Sequence, residues 1–307
     1  MTSLLKLIKS KTFLDESYIK KVCLSANSLY TSFYKNKKNG KTRKIYHPNR
    51  ELKVFQRVLL DNVLDRLNQH AASMAYSKGS SIKLNAEEHA KNNYLLRMDF
   101  SKFFESISSD DIYQFCKDVL SKEFSYWTED DTEVFTRFVC RKGSLVMGAV
   151  TSPAIANLIL YEFDETLSRF CLSMGVSYTR YADDMYFSTN KRNLLRGVER
   201  KVYKEVKELQ LPKSLKINNS KTYHSSKKRR RLVTGLILTD DGNVSIGRDK
   251  KREVRSLVFN WDGLSPVEKQ KLSGYLSYAK SIEPDFINRL CMKYGSETLK
   301  KILTYNP

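Results

Sequence analysis

Val176-Ser177-Tyr178-Thr179-Arg180-Tyr181-Ala182-Asp183-Asp184-Met185-Tyr186-Phe187-Ser188 is the stretch from which the fold is read. Its flanks are rich in Val, Thr, Tyr and Phe, a composition that suits two short strands. Between them Ala182-Asp183-Asp184 makes a tight polar turn, so two carboxylates stand side by side at a hairpin tip. Adjacent carboxylates repel unless a hard cation neutralises them, and Mg²⁺ takes oxygen ligands while keeping positions open for substrate phosphates. Asp is also a common turn former, so the string alone leaves a solvated acidic turn open beside a metal site.

A third carboxylate separates the two readings. Tyr94 to Phe100 reads as a buried strand, and its period of two puts Arg97 and Asp99 on one face, with Asp99 at the strand's end. Two metal ions about 3.5–4 Å apart, clamping the attacking and leaving oxygens of phosphoryl transfer, need carboxylates from separate strands converging on one point. Asp99 with Asp183 and Asp184 has that form.

The composition points to the same class of substrate. The 307 residues carry 54 Lys and Arg against 34 Asp and Glu, a formal charge of +20. Such a surplus fits a polyanionic partner whose condensed counterions are released on binding. Five scattered cysteines without a C-x-x-C spacing argue for reduced thiols and against a zinc site. The first ten residues hold too short an apolar run for a signal peptide, and no stretch approaches the roughly 20 apolar residues of a membrane span. A soluble, cytoplasmic protein without membrane contact is expected.

With these residues in place the chain resembles a reverse transcriptase. Asp99-Phe100-Ser101-Lys102-Phe103-Phe104 resembles the first palm motif, Gly148-Ala149-Val150-Thr151-Ser152-Pro153 the second and Tyr181-Ala182-Asp183-Asp184 the third, in the family's order. The resemblance implies an α+β right-hand polymerase fold, with fingers and palm over residues 1–247 and a helical thumb over 248–307. It implies two Mg²⁺ ions, with Mn²⁺ as a substitute, held by Asp99, Asp183 and Asp184, and dNTPs as substrates. Phe104, five positions after the metal-binding Asp, has the bulk to fill the space a ribose 2′-OH needs. Arg43-Lys44-Ile45-Tyr46-His47-Pro48 resembles a fingers motif and makes Arg43 or Lys41 a candidate for the triphosphate. Lys221 matches a palm lysine placed to protonate pyrophosphate. Gly148 would let backbone approach the nucleotide or template closely, and Met147 replaces the family's glutamine at the nucleotide.

Two further strings resemble the retron branch of the family: Asn85-Ala86-Glu87-Glu88-His89 before the first catalytic strand, and Val233-Thr234-Gly235. By that resemblance the partner is a structured noncoding RNA of the msr-msd type, primed from a guanosine 2′-OH and copied into DNA that stays linked to it. A separate effector protein and a role in phage defence are implied as well. Asn85, His89, Val233, Thr234 and Gly235 are then RNA contacts. So are Arg229, Arg230 and Arg231 in the densest basic run, and Arg248, Lys251, Arg252, Arg255 and Tyr275 in the thumb. Group II intron and phage-exclusion enzymes are the neighbouring alternatives, and an inactive RNA-binding scaffold is the alternative outside the class.

Local patterns add expectations for the elements. Helices are expected over Glu51 to Leu67 and Lys191 to Leu209, and one long helix capped by Ser152-Pro153 and closed near Gly175. Ala75 to Ser81 reads as a flexible turn. Leu232 to Leu238 and Val244 to Ile246 read as the two strands of a hairpin.

Overall fold

In the computed structural model, which describes residues 2–36, 40 and 42–305, two lysine-rich helices come first: α1 (Ser3–Thr12) and α2 (Glu16–Ser25). Their Leu4, Leu5, Ile8, Ile19 and Val22 are buried. The antiparallel hairpin β1 (Tyr30–Asn36) and β2 (Thr42–Pro48) follows, with Phe33 opposite Ile45. Asn49 accepts the Leu52 N–H at 2.9 Å and so starts α3 (Arg50–Asn62), a shorter helix than the apolar spacing suggested, because the last turn tightens into a 3-10 segment at Leu64–Arg66.

Next come α4 (Ile82–Ala90), β3 (Tyr94–Asp99) and α5 (Ser109–Phe115), the last passing through a π turn into α6 (Ser121–Glu123). Helix α7 (Glu129–Val139) is opened by a capping box between Thr128 and Asp131, and Asp131 also accepts the Leu4 N–H at 2.6 Å. The expected long helix is two: α8 (Ser152–Ile159) and α9 (Tyr161–Met174), broken at Leu160. No glycine or proline marks the break. Thr151, not Ser152, stands at the cap position, and Gly175 closes α9 with φ 68°.

The decisive stretch folds as β4 (Ser177–Tyr181) and β5 (Asp184–Thr189). Helix α10 (Leu195–Glu208) and β6 (Tyr223–Ser226) follow, and the four strands form a sheet in the order β4-β5-β3-β6. A second sheet runs β7 (Arg231–Val233), β8 (Leu236–Leu238), β9 (Val244–Ser245). The segment expected as one strand over Leu232 to Leu238 is therefore two, paired Val233 to Leu236 across Thr234-Gly235. Both turn residues have positive φ, 47° and 86°, which is the twist a two-residue hairpin turn requires. The chain ends in α11 (Arg248–Phe259), α12 (Pro266–Ile282), α13 (Pro284–Tyr294) and α14 (Ser296–Leu303).

The chain divides into two compact units. The first comprises Met1–Lys78, Arg97–Met185 and Arg196–Tyr223; the second comprises Gly79–Leu96, Tyr186–Leu195 and His224–Pro307. The first is built on Leu52, Phe55 and Leu59 of α3, Phe135 and Phe138 of α7, and Ile155 and Phe163 of the split helix, all buried. Its polar centre is an ion pair with no exposed surface, in which Arg180 donates from Nε and Nη2 to Asp164 at 2.9 and 2.5 Å. In the second unit, Val254, Leu272, Leu276, Phe286, Leu290 and Ile302 form the core of the four last helices. No helix among the described residues is long and apolar enough to cross a membrane.

Candidate active site

Backbone hydrogen bonds bring the three carboxylates together before any side chain acts. Asp99 ends β3, and the next residue, Phe100, donates its N–H to the Asp183 carbonyl at 3.0 Å. On the other side, Asn218 N–H donates to the Asp99 carbonyl at 2.7 Å and Ser101 N–H to the Lys216 carbonyl at 2.8 Å. The turn between β4 and β5 passes through Ala182 at φ 55°, and Arg180 Nη1 donates to the Ala182 carbonyl at 3.1 Å. The buried Asp164–Arg180 pair thus reaches the turn that presents Asp183 and Asp184.

One carboxylate oxygen from each of Asp99, Asp183 and Asp184 lies within 4.8 Å of the others. Two cations meet two of these acids. Arg97 donates from Nε and Nη2 to Asp184 Oδ1 at 2.9 and 2.7 Å, and Lys221 Nζ donates to Asp99 Oδ2 at 2.7 Å. Asn218 Nδ2 donates to the other Asp99 oxygen at 3.2 Å. Burial pushes the Asp184 carboxyl up to about 6, with the Asp183 charge adding to it and Arg97 opposing. Burial, and then the charge of Asp99, also raises Asp183. Negative charge that its own surroundings leave under-compensated, offered entirely by oxygen donors, fits hard divalent cations. The residues present therefore suit the ions the sequence led us to expect.

Asp99 and Asp183 line a cleft of about 610 Å³ that also takes in Arg43, Tyr76, Phe104, Met147 and Lys221. Phe104 is nearly buried, its ring 5.2 Å from that of Phe103, which stacks on Phe100 at 5.7 Å. All three phenylalanines of the motif, Phe100, Phe103 and Phe104, line the cleft. Arg43 is exposed on β2; Lys41 lies outside the described residues. Tyr46 N–H donates to the Met147 carbonyl at 2.9 Å, which ties β2 to the segment that carries Met147. Gly148 also has a reason within the fold. Its φ is +107°, and a Cβ there would lie 2.3 Å from the Tyr46 carbonyl oxygen, so the protein's own β2 makes a close approach that only glycine accepts.

Several residues expected to contact RNA point inward instead. Asn85 and His89 on α4 have no exposed surface, and neither has Val233. His89 Nδ1 lies 2.7 Å from Ser188 Oγ, and burial pushes the imidazole down to about 3, so the ring is neutral. Thr234 donates its N–H to the Tyr186 hydroxyl and its Oγ1 proton to the Ile82 carbonyl, both at 3.1 Å. The two strings that resemble retron signatures are thus joined within one unit: the turn between β7 and β8 is fastened to the first residue of α4. Of the five residues in these strings expected to contact RNA, only Thr234, half-buried, and Gly235, exposed, reach the surface.

Arg231 also departs from expectation. It is 1% exposed, and its guanidinium donates to the carbonyls of Asn92 and, at 2.7 Å, Thr239, so it holds backbone and not phosphate. Arg229, Arg230, Arg248 and Arg252 are exposed. Lys251 is ion-paired to Glu283 at 2.5 Å, Arg255 lies over Phe286 at 5.3 Å, and Tyr275 carries Lys250 Nζ 3.4 Å from its ring centre. Sequence reasoning missed Asn218, the pairing of Arg97 with Asp184, and Tyr76. For Arg97 a signal was present, since its period-two placement already set it on the face of Asp99.

Comparison with known proteins agrees with this geometry. The profile of the family described as reverse transcriptase (RNA-dependent DNA polymerase) matches residues 35–258. The retron Ec83 reverse transcriptase of Escherichia coli is 37% identical over 279 residues, covering 86% of this chain and 86% of its own. The retron Ec73 reverse transcriptase of Escherichia coli is 34% identical over 273 residues, covering 85% of each. Among solved structures, apo telomerase from Candida tropicalis superposes with a TM-score of 0.52 at 11% identity, over 88% of this chain and 58% of that one. Telomerase from Candida albicans in complex with a TWJ fragment of telomeric RNA gives 0.52 at 12% identity, over 94% and 59%. At that identity the likeness shows a shared fold, the α+β right-hand polymerase fold, and the chain spans under two thirds of either telomerase.

Proposed function

We propose, on the premise that this chain belongs to the reverse transcriptase family and is a retron RNA-directed DNA polymerase, that Asp99, Asp183 and Asp184 are its metal-binding catalytic residues. The observation that carries the reading is the convergence of these three acids within 4.8 Å, with Asp99 and Asp183 on the wall of a cleft that also contains Arg43 and Phe104. Two Mg²⁺ ions bound there, or Mn²⁺ in their place, supply Lewis-acid activation of a primer hydroxyl and neutralisation of the triphosphate. Arg43 binds the triphosphate as it enters. Phe104 occupies the place of a ribose 2′-OH and so selects deoxynucleotides. Lys221, now bonded to Asp99, hands a proton to the departing pyrophosphate oxygen. Arg97 orients Asp184, and Asn218 orients Asp99.

The template in this reading is a structured noncoding RNA of the msr-msd type, primed from a guanosine 2′-OH and left joined to the single-stranded DNA product. Residues up to 247 act as fingers and palm, and helices α11 to α14 act as the thumb that holds the duplex. The assembly serves phage defence together with an effector protein. Expression of the chain with its native flanking DNA, followed by purification and RNase digestion, tests this. A discrete DNA species that shortens slightly on debranching, and is absent from an Asp183→Asn, Asp184→Asn variant, is the expected result. Equal DNA from the variant would overturn the assignment of the carboxylates.

A further inference from the structure

Tyr76 sits in a segment that reads as a flexible turn, yet its surroundings are pinned. Arg180 N–H donates to the Ala72 carbonyl and Met74 N–H to the Arg180 carbonyl, both at 2.7 Å. Asn157 Nδ2 donates to the Ala75 carbonyl at 2.8 Å, and Ser77 Oγ to the Ser73 carbonyl at 2.7 Å. Ser73 and Ala75 are buried. From this fixed base the Tyr76 side chain projects 61% exposed, on a backbone with φ 61°. A bulky residue rarely adopts that conformation, and such outliers gather at functional sites where the surrounding structure over-determines them.

Two cavities meet at this ring. One is the catalytic cleft; the other, of about 510 Å³, is lined by Tyr76 with Val150, Pro153, Ala154 and Lys78. The second cavity's acid, Asp65, is paired to Lys78 at 3.2 Å, so it presents no acid free of a cation. In the polymerase reading above, the triphosphate goes to the carboxylates and Arg43 and the sugar to Phe104. The base and its template partner are then left to the rest of the lining, which includes Tyr76. The two spaces share Tyr76.

We propose that Tyr76 is a nucleotide-positioning contact of this polymerase, the aromatic surface against which the base pair between template and incoming nucleotide forms. An aromatic face suits the task because every base has a π-face, so one side chain serves all four. The inference rests on the polymerase reading above and assigns a role to a residue outside the motifs that carry that reading.

Tyr76→Gly and Tyr76→Phe separate function from folding, because glycine accepts the positive φ without strain while deleting the ring. Single-nucleotide incorporation on a synthetic RNA template with a DNA primer gives KM and kcat for the dNTP. Binding of the dNTP to the same complex in Ca²⁺ gives affinity without turnover. For Tyr76→Gly, KM and the Ca²⁺ dissociation constant should rise about tenfold, the size expected for one lost base contact, with kcat changed less than about twofold. Its Tm should equal or exceed that of the wild type, and Tyr76→Phe should match the wild type throughout. Unchanged nucleotide affinity in Tyr76→Gly, or a lowered Tm that marks the ring as packing, overturns the proposal. Wild-type protein that incorporates nothing would instead count against the polymerase reading, while the Ca²⁺ measurement still decides the role of Tyr76.

Discussion

At Asp184 burial and charge pull against each other, and burial wins. Its carboxyl is held near 6, above the ordinary 3.8, so the folded chain takes up this proton more readily than the unfolded one. The stability linked to it is fully present below about 3.8 and is lost as pH rises through about 6. Asp184→Asn removes that loss. Melted in EDTA at pH near 8, the variant should be more stable than wild type by on the order of 2 kcal/mol, with the gap closing toward pH 5. Mg²⁺ should raise the wild-type Tm at pH 8 and leave the variant's nearly unchanged. A gap that does not depend on pH would place the carboxylate's strain elsewhere. His89 has the opposite sign. Its folded value of about 3 lies below the ordinary 6.5, so its contribution is present above 6.5 and is lost as pH falls toward 3. His89→Gln should flatten that acid limb, by on the order of 3 kcal/mol at pH about 4, in urea titrations at two pH values. Parallel acid limbs in the two proteins would show that the imidazole is not what acid attacks.

Among the elements, β2 is held against the Met147-Gly148 segment by contacts that leave no space for a side chain. Gly148→Ala would put a methyl group 2.3 Å from the Tyr46 carbonyl oxygen on a backbone that disfavours L residues, so β2, and Arg43 with it, must shift. A loss of about 2 kcal/mol or more and a raised KM for dNTP are expected from denaturant melts and steady-state kinetics. Wild-type stability in this variant would mean that β2 yields without strain. The two catalytic strands were legible because the signals that define them are local: alternation in Tyr94 to Asp99, strand-formers on either side of an acidic turn in Val176 to Ser188. The break at Leu160 was not, because its residues would continue a helix and only packing ends it. The turn at Thr234-Gly235 had a readable sign, two residues ending in Gly between apolar runs, but the continuous apolar character of Leu232 to Leu238 masked it. The Asp164–Arg180 pair was beyond reach of local pattern, since it joins a helix to a strand 16 residues on.

For the whole molecule, the charge of +20 is a total that the fold divides into groups with different work. Arg180 and Arg231 are buried and hold the fold together through Asp164 and backbone carbonyls; Lys251 is paired to Glu283. Arg229, Arg230, Arg248 and Arg252 remain exposed and available to a polyanion. This distinction is measurable within three consecutive residues. If Arg229 and Arg230 each neutralise an RNA phosphate, changing either to Ala should weaken RNA binding and reduce the slope of log K against log salt by about 0.7–0.9. Neither change should move the Tm, since exposed side chains away from packing rarely matter to stability. Arg231→Ala should do the reverse. It strands the Asn92 and Thr239 carbonyls without their donor and should cost on the order of 2 kcal/mol, while the salt slope of the protein that stays folded is preserved. Filter binding of RNA across a salt series, run beside thermal melts of the three variants, reads both quantities. A reduced slope for Arg231→Ala with an unchanged Tm would mean that its guanidinium turns outward to RNA in solution, and a flat response for Arg229 and Arg230 would leave the run a solvated loop.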